Sequence, residues 1–393
     1  MSSATWSSRF GRPTRQTEEF RAARDLLLAT RLDHDAACRS FRWPRFQSFN
    51  WALEWFDVVA GSSTRAALEL VAPDGTVQTT SYREMAHRSA AVASWLAGLG
   101  VRRGDRVLVV LGMQRELWES LLACLKLGAV VIASYIDLTA AEARDRTHRG
   151  DIGHVVCRSD LVALFEGASE GVRVAVDARV PGWAEYSAAF RPARPFVPTG
   201  PMPAHDLAFC YFPSGITSLP KLVGHTHASY PVGHLSSMYW NGLLPGDRHL
   251  VVPAPGWAKP SWSALFAPWN AEATVVACTE GCRPDRLPRL LAERRVTSFC
   301  APPSTWQALR PYLRAARPAL REATSAGEPL DHCLAREVHD AWDVRVRDGY
   351  GQTETTALIG TTPGADPAAR VAGQGPPGLH RMRRRTCPRP GRG

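Results

Sequence analysis

A chain of 393 residues exceeds the roughly 250–300 at which a single hydrophobic core stops growing, so at least two packed units are expected. Its composition is that of an ordinary globular protein, 45% hydrophobic and 21% charged, with no run of about 18 uninterrupted apolar residues to span a bilayer. The formal net charge of +10 is no nucleic-acid signature: seven of the 47 basic residues lie in 367–393, which has no Asp or Glu, and the preceding 366 residues carry only +3.

The opening Met1-Ser2-Ser3-Ala4-Thr5-Trp6 lacks the apolar stretch of a secretory signal, so the chain reads as cytoplasmic. Residues 17–31 and 49–60 have the spacing of amphipathic helices, the second with Phe49, Leu53, Phe56 and Val59 on successive turns and Trp51 and Trp55 flanking. Strands are expected at 67–71 and 77–80. Ser81 followed three residues later by Glu84 then starts a helix with the pattern of a capping box, and Gly98 and Gly100 end it. Beyond it strand and helix alternate: strand 106–111, helix 114–127 closed by Gly128, strand 130–134, helix 139–148, strand 154–157. Such alternation implies parallel strands with crossover helices.

The proline-rich stretch 190–203 suggests a boundary, and a second alternating series follows it from 207 to 342. The expected division is an N-terminal helical segment at 1–60, a first α/β subdomain at 61–200, a second at 201–366 that carries the site, and a disordered basic tail at 367–393. Arg381-Met382-Arg383-Arg384-Arg385, among Pro and Gly without aromatics, reads as solvated tail rather than a nucleic-acid surface. Nine scattered cysteines form no CxxC pair. Cys278 and Cys282 have the spacing of half a zinc site with no second half, and all nine read as reduced thiols. His225 and His227 likewise lack a third metal ligand in local register.

Open α/β sheets take ligands at the carboxyl ends of their strands, and two loops are placed there, after Phe212 and after Asp348. The first is Pro213-Ser214-Gly215-Ile216-Thr217-Ser218-Leu219-Pro220-Lys221, where Gly215 permits close backbone approach, the hydroxyls donate and Lys221 supplies a compact positive charge for a phosphate. The second is Tyr350-Gly351-Gln352-Thr353-Glu354-Thr355-Thr356. A tyrosine face covers a purine, and a hydroxyl beside a carboxylate suits a phosphate oxygen and Mg²⁺. Taken singly, Tyr350 reads as a core aromatic, Glu354 as a helix-start carboxylate and Trp257 as a packing residue.

Taken together, the Ser/Gly/Lys loop, Phe299-Cys300-Ala301-Pro302-Pro303-Ser304-Thr305-Trp306, Ser325-Ala326-Gly327-Glu328-Pro329-Leu330 and Asp348-Gly349-Tyr350-Gly351-Gln352-Thr353-Glu354 occur in an order that resembles the adenylate-forming, AMP-producing acyl-CoA synthetases of the acetyl and medium-chain type. The likeness extends from about Phe20 to Pro363. It includes Arg42-Trp43-Pro44, Lys126-Leu127-Gly128-Ala129 and Pro255-Gly256-Trp257-Ala258-Lys259. The resemblance implies an α/β fold of two doubly wound mixed or parallel-sheet subdomains. It implies the substrates ATP, CoA and a short- to medium-chain carboxylic acid, with Mg²⁺ and without nucleic acid or membrane span. By the same resemblance Ser214, Gly215, Thr217 and Lys221 border the β- and γ-phosphates, while Gly327, Glu328 and Pro329 with Asp348, Gly349 and Tyr350 hold adenine. Thr353 bonds the α-phosphate, Glu354 binds Mg²⁺, and Trp257 lies beside the acyl group. Lys221, Thr353 and Glu354 are the catalytic candidates.

The sequence departs from that pattern in two places. The family's loop reads close to Thr-Ser-Gly-Thr-Thr-Gly-x-Pro-Lys, whereas Pro213, Ile216 and Ser218 here replace two threonines and a glycine. After Pro363 the expected β-barrel, ribose-binding aspartate and lysine-bearing lid domain are not recognisable. The expectation is therefore a truncated synthetase, the alternative being a catalytically silent fragment that only binds ATP or acyl ligand.

Overall fold

A computed structural model describes residues 11–167, 170–191, 196–212, 222–252 and 261–365. The first helix, Arg15–Ala29, starts where the Thr14 hydroxyl accepts the Thr17 amide, and it buries Phe20, Ala23 and Leu27. A short helix, His34–Ser40, follows. The helix expected at 49–60 is a π-helical turn, Ala52–Phe56, running into an α-helix, Asp57–Ser62. Its tryptophans do not flank the core but fill it. Trp51 Nε1 donates to Asn270 Oδ1 at 2.8 Å and Trp55 Nε1 to the Trp269 carbonyl at 3.0 Å, so both indoles are buried without an unpaired N–H.

In chain order the strands are β1 (Ala66–Val71), β2 (Val77–Ser81), β3 (Arg106–Val110), β4 (Val130–Ser134), β5 (His154–Arg158), β6 (Arg173–Val176), β7 (Ala184–Glu185), β8 (Leu207–Tyr211), β9 (Val223–Thr226), β10 (Arg248–Val251), β11 (Thr274–Cys278), β12 (Ser298–Ala301), β13 (Glu322–Ala326), β14 (Val346–Gly351) and β15 (Ala357–Gly360). They form two open sheets. One has the order β7-β6-β5-β3-β4-β8-β9 and the other β15-β14-β13-β12-β10-β11-β1-β2. The parallel pairing expected from the alternation holds except at β2, β9 and β15, which return antiparallel as sheet edges. Among the described residues there is no closed barrel.

The sheets do not follow the expected boundary at 200. Strands β1 and β2 join β11 in the eight-stranded sheet, while β8 and β9 complete the seven-stranded one. Pairing is set by register and burial rather than by chain proximity, so each sheet draws strands from both halves of the sequence. One hydrophobic cluster runs through both, including Val107, Val131 and Phe209 from one sheet and Leu68 and Val275 from the other.

The reading of all cysteines as reduced is corrected at one pair. The turn after β11 brings the Cα atoms of Cys278 and Cys282 to 5.6 Å, within bridging range, and the two form a disulfide. Cys124, Cys157, Cys210 and Cys300 are buried free thiols. No helix among the described residues is long and apolar enough to cross a membrane. The tail expected to be disordered lies outside the described residues.

Candidate functional site

Strands β13 and β14 run parallel with Ser325 opposite Asp348 and Ala326 opposite Gly349. This register sets the ends of two motifs side by side at the carboxyl edge of the eight-stranded sheet. Gly327, Glu328 and Pro329 leave β13 together and are exposed. Gly327 has φ +112°, a backbone that L side chains rarely adopt, so the chain can turn away there only as glycine.

The loop expected after Asp348 begins later, because β14 continues through Gly351 and pairs back with β15, Tyr350 opposite Ile359. What permits this is the absence of side chains on one face. A Cβ at Gly349 would stand 2.4 Å from the Trp240 ring, one at Gly360 2.4 Å from the same ring, and one at Gly351 2.3 Å from Trp262. Successive strand residues point to opposite faces, so Tyr350 projects away from these tryptophans, half exposed at 50%. Trp240 Nε1 donates to the Asp348 carbonyl at 3.3 Å, and the Asp348 carboxylate accepts the Gly349 amide at 3.0 Å.

The β14–β15 turn carries Gln352 to Thr356 and is closed by its own hydroxyl. Thr355 Oγ1 accepts the Gln352 amide at 2.9 Å. Thr353 is half-buried and Glu354 exposed. Among the described residues Glu354 makes no ion pair, which leaves its carboxylate available to a cation. No group of three or more His, Cys, Asp or Glu able to hold a metal exists among the described residues. A single carboxylate fits Mg²⁺ that takes its remaining ligands from phosphate oxygens and water, and it fits poorly a metal held by protein alone.

The hairpin is fastened from below. Ser236 Oγ, on the helix Ser229–Asn241, donates to the Ala357 carbonyl at 2.8 Å and lies 3.1 Å from Thr356 Oγ1. Buried Arg347 spans the strand bases, donating to Glu322 Oε2 at 2.6 Å and to the Thr361 carbonyl at 2.8 Å. Sequence reasoning passed over Ser236, Trp240 and Arg347, which have no motif of their own, and His225, which it weighed only as a metal ligand.

Of the predicted site residues the structure brings together Gly327, Glu328, Pro329, Asp348, Gly349, Tyr350, Thr353 and Glu354. Ser214, Gly215, Thr217, Lys221 and Trp257 lie outside the described residues, although β8 and β9, on either side of the Ser/Gly/Lys loop, are in place. A cavity of about 740 Å³ elsewhere, lined by Asp74, Cys278, Arg283, Arg286 and Leu290, sits by β1 and β11, away from these motifs. Two of its cations already have partners: Arg283 pairs with Asp285 at 2.9 Å and Arg286 donates to the Pro73 carbonyl at 2.7 Å. The hairpin edge is the stronger candidate because it joins two of the sequence motifs and leaves the Glu354 carboxylate without an ion pair among the described residues.

Residues 56–382, which include both motifs of this edge, match the family described as AMP-binding enzyme. The chain belongs to the AMP-binding enzyme family. Within it, the chain is similar to 4-hydroxybutyrate–CoA ligase 1 of Metallosphaera sedula, 34% identical over 329 residues that make up 80% of this chain and 57% of the relative. It is similar also to the mitochondrial acyl-coenzyme A synthetase ACSM3 of Rattus norvegicus, 28% identical over 72% of this chain and 51% of that one. The chain thus spans about half the length of the curated relatives it matches. Among solved structures, an acyl-CoA synthetase of Brucella canis superposes with a TM-score of 0.79 at 21% identity, covering 88% of this chain and 67% of that one, a likeness of fold.

Proposed function

We propose that this AMP-binding family member binds ATP with Mg²⁺ at the β13–β14 edge and uses it to activate a carboxylic acid, which then passes to CoA as a thioester. The observation that carries the proposal is the register of Ala326 with Gly349. It brings Gly327, Glu328 and Pro329 near Tyr350, which this reading takes as two walls of a slot, with Thr353 and Glu354 in the turn that follows. In this reading adenine lies between those walls, Thr353 bonds the α-phosphate, and Lys221 with Ser214, Gly215 and Thr217 meets the outer phosphates. Trp257 borders the acyl group. Glu354 would hold Mg²⁺, which would supply neutralisation of phosphate charge.

A carboxylate oxygen of the acid forms a bond to the α-phosphorus as the bond to pyrophosphate breaks. The CoA thiol, losing its proton, then attacks the acyl carbon and releases AMP. The protein's part is to hold the reacting groups in line and to place donors where charge gathers, the largest contributions in such transfers. A short- to medium-chain acid is part of the proposal, and the similarity to a 4-hydroxybutyrate–CoA ligase supports its short end. A cytoplasmic setting belongs to the same proposal, although the Cys278–Cys282 disulfide does not argue for a reducing compartment.

A second reading, nucleotide binding with little turnover, is favoured by Pro213, Ile216 and Ser218 in the phosphate loop. Trapping with hydroxylamine separates the two. Acyl hydroxamate formed from ATP, Mg²⁺ and acids from acetate to octanoate supports adenylation; ATP binding without hydroxamate supports the second reading. Absence of Mg²⁺-dependent ATP binding overturns both.

A further inference from the structure

Among the described residues, one hydrogen bond joins the β14–β15 turn to the other sheet. His225, on edge strand β9, places Nε2 2.7 Å from the main-chain carbonyl oxygen of Thr353. A carbonyl only accepts, so Nε2 carries the proton and donates. The imidazole is buried and stacks on Tyr230 with ring centres 3.9 Å apart and planes 14° from parallel. Tyr211 closes a third side edge-on at 6.0 Å. Burial holds the ring's pKa below its ordinary value against the opposing pull of the Thr353 carbonyl and the Glu354 charge, so the neutral form with a single N–H is favoured. The ring is therefore fixed in plane, tautomer and direction, more than packing alone requires.

The position of the strand gives the contact its meaning. β9 directly follows the Ser/Gly/Lys loop, with His225 four residues after Lys221, and the acceptor is the carbonyl of the residue between Gln352 and Glu354. One hydrogen bond thus joins the strand leaving one phosphate-binding segment to the turn that carries the other, across two sheets.

We propose that His225 is a positioning residue for nucleotide binding: its Nε2–H holds the Thr353 carbonyl so that the Thr353 hydroxyl and Glu354 carboxylate face the phosphates and Mg²⁺. This rests on the nucleotide reading of the hairpin. The role is distinct from contact with the ligand. His225 acts on the phosphate end of the site only, because Gly327, Glu328, Pro329 and Tyr350 are set by the β13–β14 register, to which it does not contribute.

Three variants test this by calorimetry, with MgATP and adenosine as ligands and a denaturation midpoint for each protein. His225→Phe keeps a flat ring against Tyr230 and removes the donor. His225→Gln carries an amide N–H about where Nε2 stood, and His225→Asn carries the same group too short to reach. MgATP affinity is expected to fall by up to about tenfold in His225→Phe and His225→Asn, the upper worth of one lost neutral hydrogen bond, and to be largely restored in His225→Gln. Adenosine affinity should be unchanged in all three. Equal MgATP affinity across the variants overturns the proposal, as does a parallel fall for MgATP and adenosine, which marks a merely structural residue. Should His225→Phe fail to fold, the comparison of His225→Gln with His225→Asn decides alone. If the unaltered protein binds neither ligand, the nucleotide reading fails instead, an outcome that removes the proposal with it.

Discussion

At the scale of single residues, the hairpin depends on what its glycines lack. A Cβ at Gly351 would lie 2.3 Å from the Trp262 ring and 2.4 Å from the Thr356 carbonyl oxygen, and the second neighbour is backbone that cannot rotate aside. Gly351→Ala is expected to lower stability by about 1–3 kcal/mol, the range for overpacking a filled site. Chemical denaturation reads this as a lower midpoint, and an unshifted midpoint would show that the hairpin yields. The Ser/Gly/Lys loop, proposed to meet the phosphates, offers a test in the opposite direction. Pro213 lacks an amide donor, Ile216 lacks a hydroxyl, and Ser218 resists a positive φ. Each hydrogen bond to a charged group contributes about 1.5–3 kcal/mol. The triple change Pro213→Thr, Ile216→Thr, Ser218→Gly should therefore tighten ATP binding about tenfold or more. Unchanged affinity in a titration would place the phosphates elsewhere.

At the scale of elements, one buried ion pair pins the N-terminal helices to the seven-stranded sheet's layer. Lys126, near the end of the helix Arg115–Leu127, meets Asp57 Oδ1 at 2.8 Å and donates to the Ala86 carbonyl at 2.9 Å, with both side chains out of solvent. Removing one partner of such a pair leaves a buried charge and costs about 3–5 kcal/mol. Lys126→Met should do so near neutral pH. Burial, opposed by Lys126, pushes the Asp57 carboxyl up to about 6 from an ordinary 3.8. A raised folded-state pKa gives stability that is full below about pH 4 and lost as pH rises through the folded value. Without Lys126 that value rises further, so the variant's deficit relative to the unaltered protein should be larger at pH 8 than at pH 5. An equal deficit at both would contradict it.

The elements legible in the sequence were those with their own punctuation. Ser81 accepts the Glu84 amide and starts its helix, Gly128 ends another in the left-handed region at φ +76°, and β4 occupies 130–134 as expected. Among the strands missed, β6, β7 and β15 are only two to four residues long, and β9, Val-Gly-His-Thr, and β13, Glu-Ala-Thr-Ser-Ala, lack the alternation that marks a strand. The adenine and Mg²⁺ candidates were legible because they sit in contiguous motifs. His225, Trp240 and Trp262 were not, because their roles lie in contacts with residues about 90–130 positions away.

At the scale of the whole molecule, each sheet has a smaller hydrophobic cluster of its own, and the two also exchange strands along the sequence and share a larger cluster that couples them. They should unfold together. Hydrogen exchange is expected to give β3–β4 and β10–β11 amides the same opening free energy, and two well-separated values would show independent units. That joint scaffold matters for function because it holds the Tyr350–Glu354 turn of one sheet against the loop-bearing edge of the other. The measurement that tests this most directly is calorimetric titration of ATP, with and without Mg²⁺, into the 393-residue chain and its Glu354→Ala variant. Binding that requires Mg²⁺ and disappears in Glu354→Ala is the expected result; equal affinity in the two proteins would contradict the assignment of this edge as the nucleotide site.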